Sequence, residues 1–200
     1  MTSPPWPCAG SSGATGVMGY SLGASFATAM AAVSGTAETG PPMQTVVLVE
    51  PVAVQRWSAA GLLSAVRREN RLVGAYLEET ATVAGAVPPL EACPDAAPNT
   101  RRRVDLLLLA NALRASCLSD DLRAATRRPA PRASRLVVVR AEQSSLSPRL
   151  AVRDLVKSAE GQGIEARLPH VPGPHAFWQS LPAVGSTMTA LAHTSGTLPS

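Results

Sequence analysis

The sequence predicts an α/β protein: a mostly parallel sheet flanked by helices, with a helical insertion. Three observations predict it. Two short runs, Val46–Val49 in "TVVLVE" and Leu136–Val139 in "RLVVVR", are continuously apolar and largely β-branched. Strands buried on both faces of a parallel sheet read this way. Segments of helical periodicity alternate with the strand-like ones, and that order implies parallel pairing. Between the two apolar runs, residues 54–130 carry helical patterns and loops but no strand-like segment.

The 200 residues suit one domain with a single sizeable core. A hydrophobic fraction of 46% against a charged fraction of 16% indicates a packed chain rather than a disordered one. Aromatics make up only 4%, so Ala, Val and Leu must fill the core.

The elements follow in order. Residues 1–15 are rich in Pro, Gly and Ser and read as coil. "GVMGY" (16–20) reads as the end of a strand. "LGASFATAMAAVSG" (22–35) carries helix formers and small residues, with Gly35 placed to cap it. The strand "TVVLVE" (45–50) stops at Pro51. Residues 58–84 place Leu62, Leu63, Val66, Leu72, Val73, Tyr76 and Leu77 at helical spacing. A proline-rich break at 85–99 precedes a helix predicted from Arg101 to Cys117, and "RRPAPRAS" (127–134) reads as a linker. After the strand at 135–140, "SPRLAVRDLVKSAEGQG" is marked as a helix by Ser147 at the cap position, Pro148 at the first position and Gly161 beyond the end. "GIEARLP" (163–169) alternates as a third strand, and a last helix spans roughly 182–193. The predicted organisation is therefore a coil at 1–15, a core formed by 16–53 and 131–194, an insertion at 54–130 and a tail at 195–200.

Composition excludes several classes. The net charge of +4 is modest and almost wholly arginine, Lys157 being the only lysine. The clusters Arg101-Arg102-Arg103 and Arg127-Arg128 lack neighbouring aromatics, so they read as solvated loops or helix ends rather than a nucleic-acid face. Cys8, Cys93 and Cys117 are widely spaced, with no CxxC or Cys/His ligand set, so neither a structural metal nor a cofactor is expected. Sparse, odd cysteines and the absence of a signal-peptide pattern or long apolar run predict a cytoplasmic chain that does not span a membrane. "GSSGATG" (10–16) could suggest a phosphate-cradling loop, but such a loop must follow a strand, and here it follows Pro4, Pro5 and Pro7.

One constellation points to chemistry. In "GYSLG" (19–23), Ser21 stands between Gly19 and Gly23, where a strand passes into a helix. That pattern exposes a serine on a sharp turn, with the glycines relieving crowding and Ala24 and Ala27 letting the helix approach the sheet. The Leu22 N–H would face an oxyanion at the helix N-terminus. A serine hydroxyl needs a base, normally a histidine oriented by a carboxylate. His175, in the loop "VPGPHAFW" after the last strand, is the best placed of three; His170 ends the strand and His193 lies in the last helix. Glu50 and Glu142 each end a strand and are the two candidate acids.

With these pieces in order, "GYSLGAS", "VVLVEPV", "LVVVRAEQSSLSP" and "VPGPHAFWQSLP" resemble the α/β-hydrolase fold family over roughly residues 16–193. The resemblance implies that Ser21 is the nucleophile, His175 the base, and residues 54–130 a helical cap. Many relatives place an Asp two residues after Glu142, where this chain has Ser144; others place the acid after the strand following the nucleophile, which is Glu50 here. Glu50 is therefore the favoured acid and Glu142 the alternative. The family also sets several strands before the elbow, and a loop after one of them donates a second oxyanion N–H. They have no counterpart here, so the expected fold is a partial one. Its exposed sheet edge would favour self-association into homo-oligomers. The expected activity is hydrolysis of an ester, thioester or similar small acyl substrate. The alternative expectation is a truncated, catalytically weak or inactive hydrolase-like protein, a fragment or binding module.

Overall fold

The structure, a computed structural model, describes residues 16–33, 43–83, 103–115, 117–126, 134–179, 184–185, 187–189 and 191. Four strands lie side by side in the order β1 (Gly16–Tyr20), β2 (Thr45–Val49), β3 (Arg135–Ala141), β4 (Glu165–Arg167). All neighbouring pairs are parallel. A short β5 (His170–Val171) also pairs parallel with β3. The sheet is open, with helices joining its strands: α1 (Gly23–Val33) links β1 to β2, and α5 (Arg149–Glu160) links β3 to β4.

The interior strands show why their sequences are continuously apolar. On β2 and β3, Val46, Leu48, Leu136 and Val138 face one way, into a core shared with Ala24, Ala27 and Ala31 of α1 and Val152, Leu155 and Ala159 of α5. Val137, Val139 and Val49 face the other way and pack with Val171 and Phe177. Both faces are thus covered, and no polar residue interrupts Val46–Val49 or Leu136–Val139. Ala24, Ala27 and Ala31 are fully buried or nearly so, and their small size brings the helix close to β1 and β2.

The stretch from 54 to 130 contributes α2 (Ala59–Val83), α3 (Arg103–Ala115) and α4 (Leu118–Thr126). Helices α2 and α3 pack on each other. Helix α4, which the sequence reading leaves unpredicted, packs instead on α1 and α5. Its Leu118 and Leu122 are buried, and the Leu118 N–H donates to the Ala53 carbonyl at 2.9 Å. The helix expected at 101–117 therefore ends at Ala115, and a second helix begins at Leu118 with Asp120 and Asp121 in its first turn.

Two further local expectations change. Helix α5 begins at Arg149 with Pro148, not Ser147, as its cap residue, in an extended conformation that makes no side-chain cap. Ser147 is instead buried, its carbonyl holding Arg140. The single strand expected at 163–169 is divided into β4 and β5 around Pro169, which has no N–H for the ladder but accepts from the Arg140 N–H at 3.1 Å. The coil at 1–15, the cap at Gly35, the break at 85–99, the tail at 195–200, most of the linker at 127–134, Arg101, Arg102, Cys8, Cys93 and His193 lie outside the described residues. So does part of the last predicted helix, of which 184–185 and 187–189 are helical.

The turn after β1 tests how much of the glycine pattern is steric. A Cβ at Gly19 would stand 2.2 Å from the Gly23 carbonyl oxygen, whereas a Cβ at Gly23 meets nothing within 4 Å. Only the first glycine is required by close backbone approach. Gly19→Ala is expected to destabilise by about 3 kcal/mol or more, because backbone must move to admit the methyl. Gly23→Ala should stay within about 0.5 kcal/mol of wild type. Thermal or urea unfolding of the two variants measures the difference.

Candidate active site

The parallel ladder carries two side chains to the same edge. Each interior strand accepts one more hydrogen bond from the residue just past its neighbour's end: the Ser21 N–H donates to the Val49 carbonyl and the Glu50 N–H to the Val139 carbonyl, both at 2.8 Å. At both positions the chain turns sharply, with φ of 55° at Ser21 and 51° at Glu50. These are the only non-glycine residues with positive φ among the described residues. Such a conformation costs roughly 1–3 kcal/mol and clusters at functional sites. Here it turns one serine and one carboxylate toward the same point.

His175 completes the arrangement. Its Nε2 stands 3.0 Å from Ser21 Oγ, and its Nδ1 stands 2.8 Å from Glu50 Oε2. The other oxygen of Glu50 accepts the Ala141 N–H. The Glu50 carboxylate is fully buried and His175 nearly so, while Ser21 is half-buried. With the carboxylate accepting from Nδ1–H, Nε2 is left to accept from the serine hydroxyl.

The other sequence candidates fall elsewhere. Glu142 is exposed, and its carbonyl rather than its carboxylate is engaged, by Arg140 Nη1 at 3.2 Å. The structure thus separates Glu142 from His175 and brings Glu50 to it. His170 lies in β5 with its side chain exposed. Ser144 is a buried loop residue whose hydroxyl accepts the Ser147 N–H. Leu22 lines the same cleft as Ser21 and His175.

That cleft has a volume of about 520 Å³. Its walls are largely apolar: Val52 after β2, Leu62, Val66 and Val73 on α2, Leu109 on α3, and Leu146. Asn70 and Glu69 are the polar groups on its α2 side, and Tyr20 and Trp178 stand near the serine. Among the described residues, no group of His, Cys, Asp and Glu is placed to hold a metal ion. No described helix is long and apolar enough to cross a membrane.

Three residues of this site escape the sequence reading. Glu69 is buried on α2, with one oxygen accepting the His175 N–H and the other the Ser145 N–H at 2.8 Å. Its signal is a carboxylate interrupting the apolar stripe Leu62, Val66, Val73, Tyr76. Tyr20 donates its hydroxyl to the His175 carbonyl at 2.8 Å and accepts from Trp178 Nε1 at 2.9 Å. Burial pushes the Tyr20 phenol far above its ordinary value, with Glu50 and Glu69 adding to the shift and the Trp178 N–H opposing it. The phenol therefore stays protonated and remains a donor. Arg140, also buried, donates to the carbonyls of Ser147, Glu142 and Ser144 and so shapes the loop after β3.

Fold and site together define an open parallel α/β protein with a serine, a histidine and a carboxylate hydrogen-bonded in series at the strand ends. No family model matches the sequence, and no curated protein does. Solved structures similar to this chain include a hydrolase from Pseudomonas aeruginosa, with a TM-score of 0.49 at 20% identity, covering 90% of this chain and 64% of that one. The esterase LipW from Mycobacterium marinum gives a TM-score of 0.46 at 20% identity, over 89% of this chain and 46% of that one. Carboxyl esterase 2 from the fungus Tuber melanosporum gives 0.44 at 17% identity, over 90% and 53%. The likeness is to esterases and hydrolases of the α/β-hydrolase fold, and the chain spans about half the length of the last two.

The two candidate acids differ in what their removal would leave behind. Glu50→Ala strands the buried Ala141 N–H and is expected to destabilise the fold by about 1–3 kcal/mol. Glu142→Ala removes an exposed side chain and should change stability by no more than about 0.5 kcal/mol. Chemical denaturation of both variants provides the comparison.

Proposed function

We propose that this chain is a serine hydrolase of the α/β-hydrolase family acting on an ester, thioester or similar acyl substrate. One observation carries the reading: Ser21 Oγ, His175 Nε2, His175 Nδ1 and Glu50 Oε2 lie in a hydrogen-bonded series of 3.0 and 2.8 Å at the mouth of an apolar cleft. Nothing in packing requires a serine hydroxyl to meet a histidine that is itself held by a buried carboxylate, whereas activation of a serine for nucleophilic acyl transfer by a histidine base uses all three.

In this reading His175 Nε2 takes the hydroxyl proton as Ser21 Oγ bonds to the acyl carbon. Glu50 stabilises the imidazolium that forms and holds the ring in place. The Leu22 N–H donates to the developing oxyanion, assisted by the N-terminus of α1. The intermediate collapses, the carbon–oxygen or carbon–sulfur bond to the leaving group breaks, and His175 returns the proton to the departing alkoxide or thiolate. A water, deprotonated by His175, then attacks the acyl-serine; Ser21 recovers its proton and the carboxylic acid leaves. The apolar walls from α2 and α3 suit an aliphatic or aromatic acyl group, and within 54–130 these two helices are read as the cap that shapes this pocket.

A fluorophosphonate probe tests the reading, since an activated serine displaces fluoride to form a stable phosphonyl ester. Wild type is expected to label and Ser21→Ala not to label. His175→Ala and Glu50→Ala should each slow labelling by roughly 10⁴-fold or more, and Glu142→Ala should match wild type. Equal labelling of wild type and Ser21→Ala would refute the assignment.

A further inference from the structure

The base in the proposed triad sits in a loop between Val171 and the 3₁₀ turn at Phe177–Gln179, not on a helix or strand. Its ring is hydrogen-bonded to Ser21 and Glu50, and the Tyr20 ring lies beside it with centroids 5.3 Å apart. Its backbone is held separately, and by side chains. The His175 N–H donates to Glu69 of α2, and the His175 carbonyl accepts from the Tyr20 hydroxyl. Both polar ends of one residue's backbone are therefore set by side chains from two different elements.

The Glu69 contact reaches further. Its second oxygen accepts the Ser145 N–H at 2.8 Å, so one buried carboxylate joins α2, the loop after β3 and the histidine loop. Seven residues on, Tyr76 occupies the same face of α2. Its hydroxyl donates to the Phe177 carbonyl at 3.3 Å, and its ring lies where a Cβ on Gly173 would meet it at 3.0 Å. Gly173 itself has φ of 103°, a conformation that suits glycine. Helix α2 thus grips the histidine loop on both sides of His175. Glu69 also lines the cleft, so the helix that forms the acyl wall is the helix that fixes the histidine.

Burying a carboxylate between two backbone N–H groups is unfavourable unless both bonds are made, and a positional role accounts for its presence. We infer that Glu69 and Tyr20 are positioning residues for the proposed base, holding the His175 backbone so that its ring spans Ser21 and Glu50. The inference rests on the triad reading above. Neither residue reacts. Each acts through His175, and a shift of about 1 Å in a reacting group can cost about 100-fold in rate.

The substitutions can be chosen from the donor pattern. Glu69→Gln preserves the size of the side chain but replaces one acceptor oxygen with an NH₂ group, which then faces a backbone N–H. Tyr20→Phe preserves the ring and removes the hydroxyl.

The full chain is labelled with a fluorophosphonate over a range of concentrations, separating the maximal rate kinact from the binding constant KI. Unfolding of each variant is measured alongside. We expect Glu69→Gln to lower kinact by about 100-fold and Tyr20→Phe by about tenfold, each with KI within twofold of wild type. Glu78→Gln, exposed on the same helix, should leave both constants unchanged. If Glu69→Gln stays folded and its kinact lies within twofold of wild type, or only its KI changes, the positioning role of Glu69 is overturned. If Glu69→Gln does not fold, Tyr20→Phe decides: kinact within twofold of wild type overturns the inference. Absence of labelling in wild type, or labelling that survives Ser21→Ala, instead overturns the triad reading and the inference with it. The Ser21→Ala control therefore distinguishes the two failures.

Discussion

A carboxylate with no exposure to water must be fully hydrogen-bonded or protonated, and Glu50 meets that constraint with two donors. The Ala141 N–H comes from β3 and the His175 Nδ1–H from a loop 125 residues away. The arrangement around the cleft depends on this. To place the carboxylate there, the chain must leave β2 at positive φ; to meet it, the histidine loop must return over the ends of β2 and β3. The Ser21 turn follows the same logic one strand away, with the same extension of the ladder by one hydrogen bond. The two strained residues are offset by the sheet beneath them, whose interior strands are buried on both faces.

The long insertion adds a second constraint. A catalytic histidine on a loop is only as well placed as its backbone, and loops are the least rigid part of a fold. Here α2 and the residue before the serine supply the missing rigidity through Glu69, Tyr76 and Tyr20. Pocket shape and the geometry of the proposed base are thereby coupled, because Leu62, Val66 and Val73 line the cleft from the helix that carries Glu69. A change in α2 that alters the shape of the cleft also bears on the position of His175. Stability and site geometry share residues here, and substitutions on the inner face of α2 will rarely affect one alone.

Much of this is legible along the chain. The runs at Val46–Val49 and Leu136–Val139 mark interior strands because burial on two faces leaves no place for polar alternation. Ser21, His175 and Glu50 are legible as candidates because each follows a strand, and the ends of parallel strands converge. Glu142 is equally placed by that criterion, and sequence could only rank it second. Helix α4 is not legible: the helix expected at 101–117 stops just before it, and a nine-residue segment is too short to mark a second helix by periodicity. Ser147 looks like a helix cap because the residue before a first-turn proline normally is one, yet here its carbonyl serves Arg140.

By itself the sequence determined the class of sheet, the order of its interior strands with the helices α1 and α5, and the serine turn, because each depends on local periodicity and on backbone sterics within a few residues. Gly19 is required by a contact only four residues away. Which carboxylate meets the histidine, and what holds the histidine's backbone, was decided only by tertiary structure. Glu50 and Glu142 differ in register against β3 and β5, not in local pattern. Glu69 and His175 are separated by 106 residues and meet because α2 lies over the strand ends. No periodicity encodes such a contact. It exists because a buried carboxylate must find donors, and the fold brings two backbone N–H groups within its reach.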